Sequence, residues 1–151
     1  MDACMFSSKS VEWETPPELF SALNDEFHFT VDAASTDENA LCEKHWTKET
    51  DGLKQDWSKE TVWCNPPYGR ETGKWVRKAS EEAEKGATVV MLIPCRPDVS
   101  YFHDYILGKA EIRFLRSRLR FNRGGVLSDR APFPSMIVIY RGKGQEEKIN
   151  D

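Results

Sequence analysis

Residues 87–93 read Ala-Thr-Val-Val-Met-Leu-Ile and stop at Pro94, and no other segment constrains the fold as strongly. A run this apolar and this short, closed by proline, suits a strand covered on both faces. Such a strand belongs in a largely parallel sheet flanked by helices, not in a half-exposed hairpin. It is too short to cross a membrane: the longest unbroken apolar stretch, Val89 to Cys95, has seven residues, against about 20 for a spanning helix.

The flanking segments supply partners for that strand. Thr15-Pro16-Pro17-Glu18 reads as a helix start, with Thr15 as cap, Pro16 at the first helical position and Glu18 completing a capping box. Leu19, Phe20 and Leu23 then give one apolar face up to about Asp25. Residues 27–34 predict a first core strand running into a tight turn, and residues 61–64 a short second one. Between them the pattern is weak, with Trp46 and Trp57 as isolated anchors, a short strand near Leu41 and a helical turn near Leu53. Residues 72–85 predict a helix with Trp75, Val76, Ala79 and Ala83 on one side and Gly86 as its stop. Residues 98–107 predict another, capped by Asp98 and ended by Gly108. Residues 110–121 and 135–141 read as two further strands with no helix between them, so the sheet ends in an antiparallel pair. One domain over residues 12–142 follows, with an N-terminal arm (1–11) and a polar tail (143–151).

Composition excludes several classes. A hydrophobic fraction of 39% with 11% aromatics supports a folded core rather than a disordered chain. The N-terminus lacks the basic and apolar blocks of a secretion signal, and the four cysteines show no CxxC spacing. A reduced, cytoplasmic protein is the expectation. The net charge of −4 argues against binding nucleic acid by bulk charge alone, but the charge is segregated. Between Arg113 and Arg130 lie six arginines and one acid, Asp129, a segment at +5 that leaves −9 for the remainder.

The strand at residues 61–64 ends in Asn65-Pro66-Pro67-Tyr68. Two consecutive prolines cannot continue a central strand, so the chain leaves the sheet as a rigid loop. A rigid turn with Asn65 as a strand-end cap would explain part of this. Methylation of an exocyclic amine such as adenine N6 explains all of it. That nitrogen is a poor nucleophile because its lone pair is delocalised into the ring. The Asn65 side-chain oxygen and the Pro66 carbonyl can each accept one N–H and draw it toward tetrahedral geometry. Pro67 fixes the loop, and Tyr68 offers a face on which an extruded base can stack. The methyl group would pass directly from a sulfonium donor, with no covalent enzyme intermediate.

With these residues in place, the sequence resembles the S-adenosylmethionine-dependent amino methyltransferases, and in particular the small phage-type DNA N6-adenine methyltransferases. The matching pieces, in order, are Trp13-Glu14-Thr15-Pro16, Val31-Asp32-Ala33-Ala34-Ser35, Asp51-Gly52-Leu53, residues 62–68, Leu92-Ile93-Pro94, Arg118-Leu119-Arg120-Phe121 and Ala131-Pro132-Phe133-Pro134-Ser135. The resemblance implies an α/β, Rossmann-like methyltransferase sheet, mostly parallel, with helices on both faces and the ligand beyond the carboxyl ends of the strands. It implies S-adenosylmethionine as cofactor, adenine in double-stranded DNA as substrate, no metal, and a phage- or prophage-encoded protein in a bacterial host cell. A homodimer is one arrangement it allows. Asp32 would stand near the methionine amino group, with Ala33, Ala34 and Ser35 as the close-approach turn. Thr15 and Pro16 would border the methionine moiety, and either Asp51 or Asp56 would meet the adenosyl part, with Asn65 beside the cofactor. The Asp-Ala-Ala-Ser turn departs from the glycine-rich turn of many methyltransferases.

The basic segment has a functional and a bland reading. On a strand over 110–121, Arg116, Arg118 and Arg120 would share one face, opposite Leu119 and Phe121. Three cations on one face suit phosphate contact, with Arg123 following and Arg70, Lys74 and Arg77 as weaker candidates. A solvated strand face is the bland alternative. The 123–134 loop is the candidate for sequence recognition. Pro94-Cys95 could be a thiol nucleophile and Cys42-x-x-His45 part of a zinc site, but a structural cysteine and an incomplete ligand set are the simpler readings. His28, His45 and His103 read as ordinary residues, Trp63 and Trp75 as core, and Trp13, Trp46 and Trp57 as either anchors or stacking platforms. Rival functions are N4-cytosine or RNA adenine methylation, methylation of a glutamine amide in protein, and a non-catalytic DNA-binding relative.

Overall fold

A computed structural model describes residues 13–124 and 126–143 of the 151-residue chain. The expected arm over residues 1–11, and all of the expected tail but Lys143, lie outside the described residues. The elements run α1 (Pro17–Phe27), β1 (Val31–Asp32), a 3-10 turn (Gly52–Lys54), β2 (Thr61–Cys64) and α2 (Thr72–Glu84). There follow β3 (Thr88–Pro94), a π-helical turn (Phe102–Ile106), β4 (Glu111–Phe114), β5 (Arg120–Arg123), β6 (Val126–Arg130) and β7 (Ser135–Tyr140). Five strands make one sheet in the order β1-β2-β3-β7-β4, and β5 and β6 make a separate hairpin. β1, β2 and β3 are parallel, while β7 enters antiparallel between β3 and β4. The protein is therefore α/β with a mixed sheet. The antiparallel pairing expected near the C-terminus is present, with the last strand inserted between two earlier ones.

β3 is buried at all seven positions, as its composition demands. Its side chains and those of its neighbours divide by alternation. Trp63, Val90, Leu92, Ile137 and Ile139 join Phe20 and Leu23 of α1 in one cluster. Val62, Cys64, Val89, Met91, Ile93 and Val138 join Trp75, Val76, Ala79 and Ala83 of α2 in the other. Each large aliphatic or aromatic side chain so placed contributes about 1.5–3 kcal/mol. Among the described residues no helix is long and apolar enough to cross a membrane.

Several local expectations need correction. The expected strand over residues 27–34 shrinks to Val31–Asp32, because α1 runs on through Phe27 and closes at His28 with φ 58°. Asn24 completes that stop by accepting the Phe29 amide at 2.9 Å. Pro16, not Thr15, holds the N-cap position, and the capping box does not form. Near Leu41 there is no strand; His45 instead bridges to Asp32. Over residues 98–107 the helix shortens and widens into a π-helical turn without a side-chain cap, and Asp98 pairs with Arg96.

The largest departure is the expected strand over 110–121. β4 ends at Phe114, Ser117 takes a left-handed φ of 63°, and the chain resumes as β5 in the hairpin. Leu115 and Leu119 pack against the α1-side core, so the backbone turns to bury two leucines instead of extending the strand. The alternation assigned to Arg116, Arg118 and Arg120 on one strand is lost, although all three side chains remain exposed. β6 adds a strand in the expected loop. Trp46 and Trp57 are core residues: they are 8% and 0% exposed and stack at 6.2 Å.

Candidate active site

Parallel pairing aligns the carboxyl ends of β1, β2 and β3, and two turns leave the sheet side by side there. The first follows Asp32 and the second follows Cys64.

The second turn carries Asn65-Pro66-Pro67-Tyr68. The Asn65 side-chain Nδ2 donates to the Trp13 carbonyl at 2.5 Å and to Thr15 Oγ1 at 3.1 Å. Tyr68 donates its hydroxyl to Asn65 Oδ1 at 2.7 Å and lies 3.3 Å from the Leu92 carbonyl. This fixes which way the amide points. A main-chain carbonyl can only accept, so Nδ2 must face Trp13 and Oδ1 must face away from it. Both Nδ2 hydrogens are then used, while Oδ1 retains a second lone pair. The Pro66 carbonyl accepts no hydrogen bond among the described residues, and the Pro67 carbonyl accepts the Thr72 hydroxyl at 2.9 Å at the start of α2. The two oxygens expected to receive the amine are thus each able to accept. Burial drives the Tyr68 hydroxyl well above its ordinary pKa, so it is a neutral donor. Its ring packs edge-on against Phe121 and Phe133, with centroids 6.2 and 5.6 Å away.

Thr15 therefore stands against Asn65, with its hydroxyl turned to the Asn65 amide instead of capping α1. Sequence reasoning missed the carbonyls of Trp13 and Leu92. Main-chain acceptors leave no residue signature, and only the nearness of residue 13 to Thr15 hints at the first.

In the first turn, Asp32 is 3% exposed. Its carboxylate accepts the Ala34 amide at 3.3 Å and the Leu41 amide at 3.0 Å. Burial raises its pKa to about 6, against the lowering by those two hydrogen bonds. Ser35 Oγ is buried without a hydrogen-bond partner. The glycine missing from this turn is supplied from elsewhere in the chain. A Cβ on Gly52 would lie 2.2 Å from the Ala33 carbonyl oxygen, so only glycine allows this approach. Gly52 brings Asp51 to the turn; Asp51 caps the 3-10 turn by accepting the Leu53 amide at 3.1 Å. Asp56 lies elsewhere. It caps Ser58 and interacts with Lys85 and Lys78 of the α2 C-terminal region, toward the start of β3. Of the two aspartates, only Asp51 adjoins the β1 turn.

The basic candidates are divided. Arg70, Arg116, Arg118 and Arg120 are exposed, and Arg123 ends β5. Lys74 pairs with Glu71 and Arg77 with Glu81. Arg113 is taken up by Glu26 and Glu111. Burial pushes the Cys95 thiol up, the opposite of an activated nucleophile. Both ring nitrogens of His45 are engaged, by Glu43 and Asp37, and no group of three metal-ligating side chains occurs among the described residues.

The sequence profile of the DNA N-6-adenine-methyltransferase (Dam) family matches residues 5–150. A DNA N-6-adenine-methyltransferase of Escherichia phage T1 is 36% identical over 109 residues, covering 71% of this chain and 45% of the phage protein. One of Haemophilus phage HP1 (strain HP1c1) is 28% identical over 136 residues, covering 87% and 79% respectively. The chain thus spans under half the length of the first relative and about four-fifths of the second. On the extent of the profile match, the chain belongs to the DNA N-6-adenine-methyltransferase (Dam) family.

Proposed function

We propose that this protein transfers a methyl group from S-adenosylmethionine to the N6 amine of an adenine extruded from double-stranded DNA. The orientation of Asn65 is the observation that carries the proposal. A neutral oxygen is turned away from Trp13 by the bonds at both ends of its amide and keeps one lone pair, next in sequence to a proline carbonyl that accepts no hydrogen bond among the described residues.

The residues after β1 fit the cofactor. Asp32 is a buried carboxylate whose charge burial disfavours, and an ammonium group beside it would offset that cost. Ser35 Oγ is a buried hydroxyl without a partner, and Ala33 and Ala34 before it are small residues. Asp32, Ala33, Ala34 and Ser35 would hold the methionine end, with Asp51 toward the adenosyl part and Asn65 and Pro16 at the border between cofactor and base. S-adenosylmethionine, when bound, supplies an electrophilic methyl group.

The chain's own residues then prepare the amine. Asn65 Oδ1 accepts one N6–H with its remaining lone pair, and the Pro66 carbonyl accepts the other. As the nitrogen becomes tetrahedral its positive charge grows, and both oxygens stabilise that charge without reorganising until the excess N6 proton is lost to water. Pro67 fixes the loop, and Tyr68 holds Asn65 through its hydroxyl while its ring lines the place of the flipped base. Arg70, Lys74, Arg116, Arg118, Arg120 and Arg123 supply phosphate contacts.

In this reading residues 12–142 are a Rossmann-like methyltransferase domain with α1 and α2 on opposite faces of the sheet. It works in the cytoplasm of a bacterial host as a monomer or homodimer, and no step is assigned to a metal. Incubation with methyl-labelled S-adenosylmethionine and unmethylated duplex DNA, RNA and protein extract tests the proposal. Mass spectrometry of the digests should find label in N6-methyladenine from DNA. Label confined to N4-methylcytosine, RNA or glutamine would contradict it.

A further inference from the structure

The β5–β6 hairpin forms a sheet of its own beside the main one and carries an uncovered apolar pair. Val126 is 68% exposed and Leu127 58%, just past a turn in which Gly124 has φ +61°. At the other end of the hairpin Arg120 and Arg130 are register partners, both exposed, and Arg118 is exposed just before β5; none of the three makes a side-chain hydrogen bond or ion pair among the described residues. This contrasts with Arg113 and Arg141, whose charges are taken up by Glu26 and Glu111. An apolar tip with three exposed arginines against one acid, Asp129, on and beside one small element, in a chain of net charge −4, matches a polyanion with an apolar interior.

The hairpin is also tied to the catalytic loop. Glu14 and Asn122 exchange two main-chain hydrogen bonds, at 2.9 and 3.0 Å. Glu14 lies between Trp13 and Thr15, the two residues that accept from the Asn65 amide. On the same strand Phe121 is fully buried, and its ring meets Trp13 at 5.3 Å and Tyr68 at 6.2 Å. Position on the hairpin is thereby converted into a fixed distance from Asn65.

From this geometry we infer that the hairpin is a wedge for duplex DNA, in which Val126 and Leu127 enter the base stack beside the target adenine while Arg118, Arg120 and Arg130 hold the flanking phosphates. The inference rests on the reading of the site as a DNA methyltransferase. It adds the element that opens the duplex and supplies an apolar face where the departed adenine was stacked. Wedge insertion and arginine contact make separable contributions, the first to the flipping step and the second to salt-dependent affinity.

The test uses the full chain, unmethylated plasmid DNA and labelled S-adenosylmethionine, with filter binding and size-exclusion chromatography in parallel. V126S combined with L127S should lower kcat on duplex by about tenfold or more while binding weakens by less than about threefold. R120Q combined with R130Q should instead weaken binding and flatten its salt dependence by about two in logarithmic slope. Both pairs are exposed, so melting temperatures should match the parent protein. Wild-type turnover by the V126S/L127S variant would overturn the wedge. So would a dimer that the same substitutions convert to monomer, which would assign the patch to a second copy of the chain. If the unsubstituted protein labels no DNA, the functional reading fails and the wedge falls with it, a result seen before any variant is made.

Discussion

Neighbouring parallel strands end in turns built on opposite principles. After β1 the turn is tied by an ionisable carboxylate: Asp32 gathers two main-chain amides, and burial lifts its pKa to about 6. After β2 the turn is tied by neutral groups: Asn65 and Tyr68 close on each other, on Trp13 and on Thr15. Under the proposed function the difference follows from what each turn would face. A buried charge suits a cationic partner such as the ammonium of the proposed cofactor. An amine about to become positive needs acceptors that do not first take its proton, and an amide and a main-chain carbonyl meet that need.

Substitution can separate the two turns. The largest effect should come from Asn65→Ala, which removes one of the two acceptors. Methyl transfer should fall by about a hundred- to a thousandfold while cofactor affinity, measured by titration calorimetry, stays close to the parent value. A parallel loss of cofactor binding would merge the two turns into one function.

Asp32 gives the next effect, on stability and its pH dependence. Its native pKa of about 6 lies above the ordinary 3.8. Between those values the native state holds more protons than the unfolded one, so stability is fully present below the lower value and is lost as pH rises through the upper one. The loss attributable to Asp32 is about 3 kcal/mol by neutral pH. Urea midpoints from pH 4 to 7 should show that decline, and Asp32→Asn should remove it. A decline unchanged in the variant would assign it to other groups. A smaller effect is expected at Thr15, which positions Asn65. Thr15→Val should reduce kcat by about tenfold, Thr15→Ser should restore it, and the KM for cofactor should hold steady in both. An equal loss in the serine variant would show that the hydroxyl is not what matters.

Legibility in the sequence differed between the same two regions. Asn65-Pro66-Pro67-Tyr68 was readable because proline geometry and the chemistry of an amide are local properties. The buried run of β3 and the helix of α2 were readable for a similar reason, since each announces its own burial. The partners of Asn65 were not, because the Trp13 carbonyl has no signature and Thr15 mimicked a helix cap. The β1 turn looked short of glycine because Gly52 serves it from a different segment. The arginine segment breaks the pattern because Leu115 and Leu119 pack, half-buried, against the core, and an apparent strand becomes a loop and a hairpin. In each case a long-range contact overrode a sound local pattern.

Asn65→Asp most directly tests the claim that segment 13–15 sets the catalytic acceptor. It keeps an oxygen for the amine but replaces the Nδ2 donor that faces the Trp13 carbonyl with a second oxygen. Single-turnover formation of N6-methyladenine on duplex DNA should fall by about tenfold or more, because two acceptors then oppose each other and the side chain turns away. Transfer at the parent rate would contradict the account, showing that an acceptor oxygen suffices wherever the segment holds it.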